Sequence, residues 1–261
     1  MANDPRILSA RDGAILTVTI SRPEKRNALD AAMWAALRDA MRAADADETL
    51  GCVVLRGAGE AAFSAGADIS AFPEERGTPE REAAYQETLA DALQAIRTCR
   101  HPTVAAIRGW CMGGGAGIAT MCDFRVAGPD ARIGIPARSL GLFYQHAELD
   151  PILQSVGYWV ACELLIEGRV FTGEEAERKG LVSRLVPDEQ VFAEALALAR
   201  RICEGAPLAN RFHKRALQAL RGPLPIGPAE RAEAAAFAAT EDFRQAVAAF
   251  REGRKPVFRG R

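Results

Sequence analysis

The chain has 261 residues, of which 49% are hydrophobic and 26% charged, and its 33 basic and 34 acidic side chains leave a formal net charge of -1. That is ordinary globular composition, enough for one large α/β domain or one domain with a helical appendage. The near-balance of charge gives no bulk attraction to nucleic acid or anionic membrane, and no stretch is long and apolar enough to span a bilayer. The N-terminal MANDPRILSARDG lacks the apolar run of a secretory leader, so a cytoplasmic protein is expected. Six cysteines, at 52, 99, 111, 122, 162 and 203, form no CxxC pair. They read as small buried hydrophobes, and no metal site is expected.

Ala14 to Ser21 (AILTVTIS) predicts a short strand that Arg22-Pro23 ends. Asp30 can cap a helix carrying Met33, Trp34, Leu37 and Met41 at helical spacing. Cys52 to Leu55 (CVVL) is a continuous apolar strand of the kind buried on both faces. A charged helix is expected over 80–99, then buried strand Thr103 to Ile107, a helix after the glycine run, and a strand from Phe124 to Ala127. Strands alternating with helices argue for a parallel sheet with crossover helices. After about Pro187 helices dominate, over 188–204, 208–221, 229–239 and 241–252. An α/β core over 1–200 followed by a C-terminal helical module over 201–261 is the expected organisation.

Two glycine-bearing turns stand out: FSAGADI (Phe63 to Ile69) and GWCMGGGAG (Gly109 to Gly117). Each follows a strand and opens towards a helix. Glycine lets backbone approach a ligand without a Cβ clash, and a helix start adds unpaired N–H groups and a positive dipole end. Two such turns meeting would aim two amides at one oxygen, an oxyanion hole suited to an enolate. The second turn is neither a dinucleotide fingerprint nor a Walker A loop, since the required glycine spacing and the GKS or GKT are absent.

The pieces SRPEKRNAL, VVLRGAGEAAFSAGADI, HPTVAAIRGWCMGGGAGIATMCDFRVAGPDARIGIP, LGL, GRVFTGEEAERKGLVSRLVP and RKPVFRG occur in that order. Together they resemble the crotonase (enoyl-CoA hydratase/isomerase) superfamily along nearly the whole chain. The resemblance implies a spiral of βαβ units with a C-terminal helical module mediating trimer contacts, trimers often pairing into hexamers. It implies an acyl-CoA substrate and no separate cofactor, coenzyme A being part of the substrate. Ala67 and Gly114 would supply the two oxyanion N–H groups. Arg26 and Ala28 would meet the pantetheine and phosphates, the backbone of Ala65, Asp68 and Ile69 the adenine, and Lys255 and Phe258 would close over the nucleotide.

The chain departs from the family pattern where hydratases carry two glutamates. Gly117 and Ala137 stand there, and Gln145 stands where some members carry an aspartate. None of the three can exchange a proton, and each general acid or base is worth about 100- to 10,000-fold. Straight-chain crotonyl-CoA hydration is therefore not expected as the main activity. Tyr144, His146 and Glu148 remain nearby, with Arg138 and Ser139. Tyr144 resembles a tyrosine of members that decarboxylate malonyl-type thioesters, or it is substrate wall. His146 or Glu148 could act as a relocated base, or be a loop residue and a helix-start charge respectively. Loss of chemistry, leaving an acyl-CoA-binding trimer, is the third alternative. His101 before Pro102 is expected in a turn, Asp123 in structural hydrogen bonds, and His213 on a solvated helix face.

Overall fold

The computed structural model describes residues 4–140, 144, 146–221, 240–254 and 256–261. The chain opens with a hairpin, β1 (Ile7–Asp12) and β2 (Ile15–Ile20), with Ile7 opposite Ile20. Asp30 then caps α1 (Ala31–Ala46), accepting from Met33 N at 3.0 Å. Met33, Trp34, Leu37 and Met41 are buried at the helical spacing the sequence predicts. After β3 (Cys52–Gly57) come β4 (Ala62–Ser64), the short α2 (Phe72–Glu75) and the long α3 (Pro79–Thr98), which Thr78 caps. Next are β5 (Thr103–Ile107), β6 (Trp110–Met112), α4 (Gly114–Met121), β7 (Phe124–Ala127) and β8 (Arg132–Gly134). The remaining elements are α5 (His146–Cys162), β9 (Val170–Thr172), α6 (Gly173–Arg178), β10 (Arg184–Leu185), α7 (Val191–Cys203), α8 (Pro207–Arg221) and α9 (Glu241–Glu252).

Two sheets result. The larger has the order β1-β2-β3-β5-β7-β10, parallel from β2 onward; the smaller has β4-β6-β8-β9. β3 and β5 are apolar and buried almost throughout, as strands covered on both faces must be. One cluster of buried side chains joins α1, α3 and α4 to the β2–β5 face, and another packs α7 against β3, β5 and β7. From β3, β5 and β7 of the large sheet the chain passes through the small one and returns by helices to the next large-sheet strand. This repeated βαβ turn is an α/β spiral, as the resemblance implies.

Lys214 on α8 is buried, pairs with Asp123 at 2.7 Å and donates to the His101 carbonyl at 2.8 Å. Asp123 also accepts from Thr103 N and Oγ1 at 2.8 and 2.9 Å, so one carboxylate ties α8 to the start of β5. His213 on the same helix is exposed, as expected.

The structure differs from the sequence reading in several places, the first being β1, which was not expected. GWCM, read as turn, contains β6, and the small sheet as a whole was not anticipated. His101 lies in a bend before β5, as expected, and its ring is 0% exposed. All six cysteines are free, but Cys162 and Cys203 are only half-buried. The helix expected over 229–239, Gln145 and Lys255 lie outside the described residues.

Candidate active site

The small sheet brings the two glycine turns together. β4 and β6 are adjacent parallel strands, with Ala62 opposite Trp110 and Ser64 opposite Cys111. Their carboxyl ends therefore lie one strand spacing apart, and each turn leaves from one of those ends. Gly66 has φ +90°, and a Cβ there would lie 2.6 Å from Met112 O and 2.7 Å from Gly114 N. Only glycine meets both the dihedral and the close approach.

A second constraint orients the first turn. Leu29 N donates to Gly66 O, and Asp68 N donates to Leu29 O, both at 2.8 Å, with Ala67 bridged to Leu29. Alternation along extended backbone turns the intervening Ala67 N–H to the other edge. In the second turn Gly113 N donates to Gly134 O, and the first α4 bond runs from Gly117 N to Gly113 O. Gly114 thus starts the helix, where N–H groups have no intrahelical partner. Neither the Ala67 nor the Gly114 N–H has an acceptor among the described residues.

Both residues line one cleft that is open to solvent. Trp34, Ile69, Phe72, Tyr85, Leu89 and Met112 give it an apolar wall, and Arg76, Gln86, Tyr144 and Glu148 supply polar groups. The half-buried Tyr144 places its hydroxyl 3.9 Å from where a Cβ on Gly113 would sit. Burial, and then the charge of Glu148, push its phenol above the ordinary range. Glu148 is 5% exposed, in the first turn of α5. His146 begins the same helix. Tyr85 accepts from Trp34 Nε1 at 3.1 Å, and burial pushes its phenol up to about 12.

Ala137 lines the cleft, so a side chain there faces the ligand space. Gly117 is buried in α4; a Cβ there would rest on the Leu93 methyls at 3.7 Å, an ordinary contact. Arg138 and Ser139 are exposed.

The residues assigned to coenzyme A are spread around the first turn. Arg26 has φ 51° and sits 5.9 Å from the ring of Trp110, which is 40% exposed. Its carbonyl accepts from Ala65 N at 2.9 Å, linking its segment to the cleft. Ala28 is buried, and Ala65 and Ile69 line the cleft. The buried Asp68 carboxylate accepts from Arg22, Lys25 and Ser70. Burial would raise its pKa, but the hydrogen bonds from Ser70 and Lys25 outweigh it and hold the carboxyl well below the usual range. The backbone N–H groups of Ala65 and Asp68 are engaged within the protein and Asp68 O accepts from Ala71 N, which leaves the Ala65 carbonyl oxygen for a ligand donor. Phe258 is half-buried in the tail after α9, which Asp242 anchors by accepting from Arg259 N and Gly260 N. It is not among the cleft-lining residues.

Trp34, Phe72, Arg76, Tyr85 and Gln86 were not identified from sequence as site residues. Trp34 read as core by its spacing, which is also true. Arg76 and Gln86 sit in a charged stretch, PEERGTPEREAAYQ, whose pattern is that of a solvated helix face. Among the described residues no group of three or more His, Cys, Asp or Glu could hold a metal, and no helix is long and apolar enough to cross a membrane.

Comparison with known proteins agrees with this architecture. A family model described as Enoyl-CoA hydratase/isomerase matches residues 10–261. The chain is 32% identical to the 2,3-dehydroadipyl-CoA hydratase of Escherichia coli, over 98% of this chain and 99% of that one. It is 35% identical to a probable enoyl-CoA hydratase of Rhizobium meliloti, over 98% of each. A crystal structure of an enoyl-CoA hydratase/carnithine racemase from Magnetospirillum magneticum superposes with TM-score 0.95 at 41% identity, covering 98% of this chain and 96% of that one. Matching motifs, matching fold and full-length similarity lead to one conclusion: the chain belongs to the enoyl-CoA hydratase/isomerase family.

Proposed function

We propose that the protein acts on an acyl-CoA thioester, holding an enolate at the thioester oxygen with the N–H groups of Ala67 and Gly114. The observation that carries this reading is their placement: two amides without described acceptors, on turns leaving adjacent parallel strands, bordering one cleft. Each such donor contributes about 3 kcal/mol when charge develops on the oxygen. Gly117 and Ala137 offer no proton, so the chemistry is not that of a two-glutamate hydratase. A lyase, decarboxylase or isomerase acting on an activated thioester fits better. An apolar wall favours expulsion of CO2 from a malonyl-type group, and the two amides receive the resulting enolate.

A specific observation favours a second reading, in which hydration or isomerisation persists with a relocated base. Glu148 is a buried carboxylate in the same cleft. Within hydrogen-bond reach of the α-carbon it can move a proton, and the Tyr144 hydroxyl beside Gly113 can donate one. Arg26, Ala28, Ala65, Asp68 and Ile69 are proposed to hold coenzyme A, with Lys255 and Phe258 closing over it. A trimer or hexamer built on the C-terminal helices completes the proposal.

Proline at Gly114 would delete one N–H but would also press a Cβ within 2.9 Å of Trp34 Cζ2, so it confounds chemistry with packing. A spectroscopic test avoids this. Binding a conjugated enoyl-CoA should shift its absorption to the red as the carbonyl is polarised, and an unshifted spectrum at saturation refutes the amide grip. Products from a panel of malonyl-type, branched and straight enoyl thioesters, read by mass, then choose the reaction. Glu148→Gln separates the two readings. It should abolish hydration or isomerisation by about 100-fold or more, but leave decarboxylation largely intact.

A further inference from the structure

One stretch of the cleft wall, supplied by the end of α2 and by α3, carries hydrogen-bonding capacity that the protein does not use. The Arg76 side chain is 10% exposed, and its Nε and Nη2 both donate to Glu82, at 2.5 and 2.6 Å. Its guanidinium also lies over two rings, 4.4 Å from Phe72 and 4.8 Å from Tyr85. The carboxylate occupies one edge of the fork and the two rings pack against the guanidinium, so the group is fixed in direction. The Nη1 edge has no acceptor among the described residues.

Gln86 is held by the same carboxylate. Its Nε2 donates to Glu82 Oε1 at 2.9 Å, the oxygen that also receives Arg76 Nη2. That bond sets which end of the amide is free, and the free Oε1 accepts nothing among the described residues. Two nitrogens on one oxygen put the two heads side by side. Both residues line the cleft, so a fixed donor and a fixed acceptor are presented together there.

The charges decide what fits. Glu82 balances Arg76, and Glu148 adds a buried carboxylate to the same cleft. A carboxylate on the ligand would satisfy Arg76 but would face the Gln86 carbonyl oxygen and two like charges. An alkyl chain would strip water from both heads and replace none of their bonds. A hydroxyl accepts from Nη1 and donates to Oε1 at once. The geometry points to an acyl-CoA whose acyl chain carries a neutral hydroxyl, received between Arg76 and Gln86. This rests on the thioester reading above only for the direction in which the acyl chain enters.

The test uses enoyl-CoA thioesters of increasing chain length, each prepared with a terminal methyl, a terminal hydroxyl and a terminal carboxylate. Kd is measured for all three on the full-length protein. At one chain length the hydroxylated member should bind at least about tenfold tighter than its alkyl counterpart. That ratio should fall to near one in Gln86→Leu and in Arg76→Lys, with folding verified by circular dichroism. The readout is a ratio within one protein, so a general loss of affinity does not imitate the effect. Absence of a preference at every length, tightest binding by the carboxylate, or a preference that survives both variants each overturns the proposal. The thioester reading fails separately: a bound enoyl thioester with an unshifted spectrum sinks that reading even where the hydroxyl preference is present.

Discussion

His101 makes the stability of the fold depend on pH in a calculable way. The ring is 0% exposed, between the start of β5 and α8. Neither ring nitrogen forms a well-shaped hydrogen bond with a described group, although the Asp47 backbone lies near enough to favour the charged form slightly. Burial first, then the cations Arg211 and Arg100, depress its pKa from 6.5 to about 4; Asp45 opposes them. Lys214 and Asp123, paired across the His101 carbonyl, face the same junction. The unfolded chain takes up the proton near 6.5, whereas the native protein resists until about 4. Across that window the unfolded state binds more protons, so stability falls as pH is lowered. The fall attributable to this one group approaches about 3 kcal/mol once pH is below 4. Urea unfolding followed by circular dichroism from neutral pH downward, at matched protein concentration, measures it. His101→Leu should flatten the curve by that amount. At neutral pH the variant should be no less stable than the parent, because leucine buries no unsatisfied nitrogen. Parallel curves for parent and variant would refute the assignment, since the carboxylates that titrate in the same range are common to both.

Other residues give shorter tests. Asp123→Ala leaves the buried Lys214 ammonium without its partner and frees the β5 start, and should destabilise by about 3 kcal/mol in the same unfolding assay. Gly66→Ala forces a Cβ onto Met112 O and Gly114 N at a positive φ. It should displace one turn from the other, lowering turnover of any accepted thioester by about 100-fold or more, with a stability loss of about 1–3 kcal/mol. Asp68 has a depressed carboxyl pKa, so its contribution is present above the ordinary 3.8 and is lost as pH falls through the lower native value. Asp68→Asn should remove that part of the acid dependence and weaken coenzyme A binding, read by competition, through release of Arg22 and Lys25.

The large sheet was legible because its central strands are runs of buried apolar residues and its helices carry side-chain caps. Asp30 and Thr78 each accept the backbone N–H three residues on, a signal local in sequence. β1 was not legible: five of its six residues are exposed, so it has no apolar alternation. Its pairing with β2 is a property of the backbone ladder. The strands of the small sheet are only three residues long, too short for any period to show. The two glycine turns could be read individually, but their adjacency follows from β4–β6 pairing across nearly fifty residues. Glu148 was visible as a carboxylate near the site. Its burial was not, because that depends on how α5 packs. Arg76 shows the same limit more sharply: a lone arginine in a charged stretch carries no mark of the aromatic rings it will pack against.

The proposed site separates two kinds of catalytic resource that the family pattern normally joins. Carbonyl polarisation comes from main-chain amides whose positions are set by strand pairing and by the helix start, so it survives any side-chain change at 117 or 137. Proton transfer comes from side chains and is lost with them. Each missing carboxylate removes about 3–5 kcal/mol from reactions that need its proton. In the proposed site the two amides would still supply about 6 kcal/mol to reactions whose barrier is charge on the thioester oxygen. Hydration of a simple enoyl thioester needs a base for water and an acid for the α-carbon, and so falls by the first amount twice. Cleavage of a bond that already leaves its electrons on the α-carbon needs neither in the breaking step. On this proposal, substitution at Gly117 and Ala137 changes which thioesters the cleft can transform, while the same amides would continue to receive the negative charge.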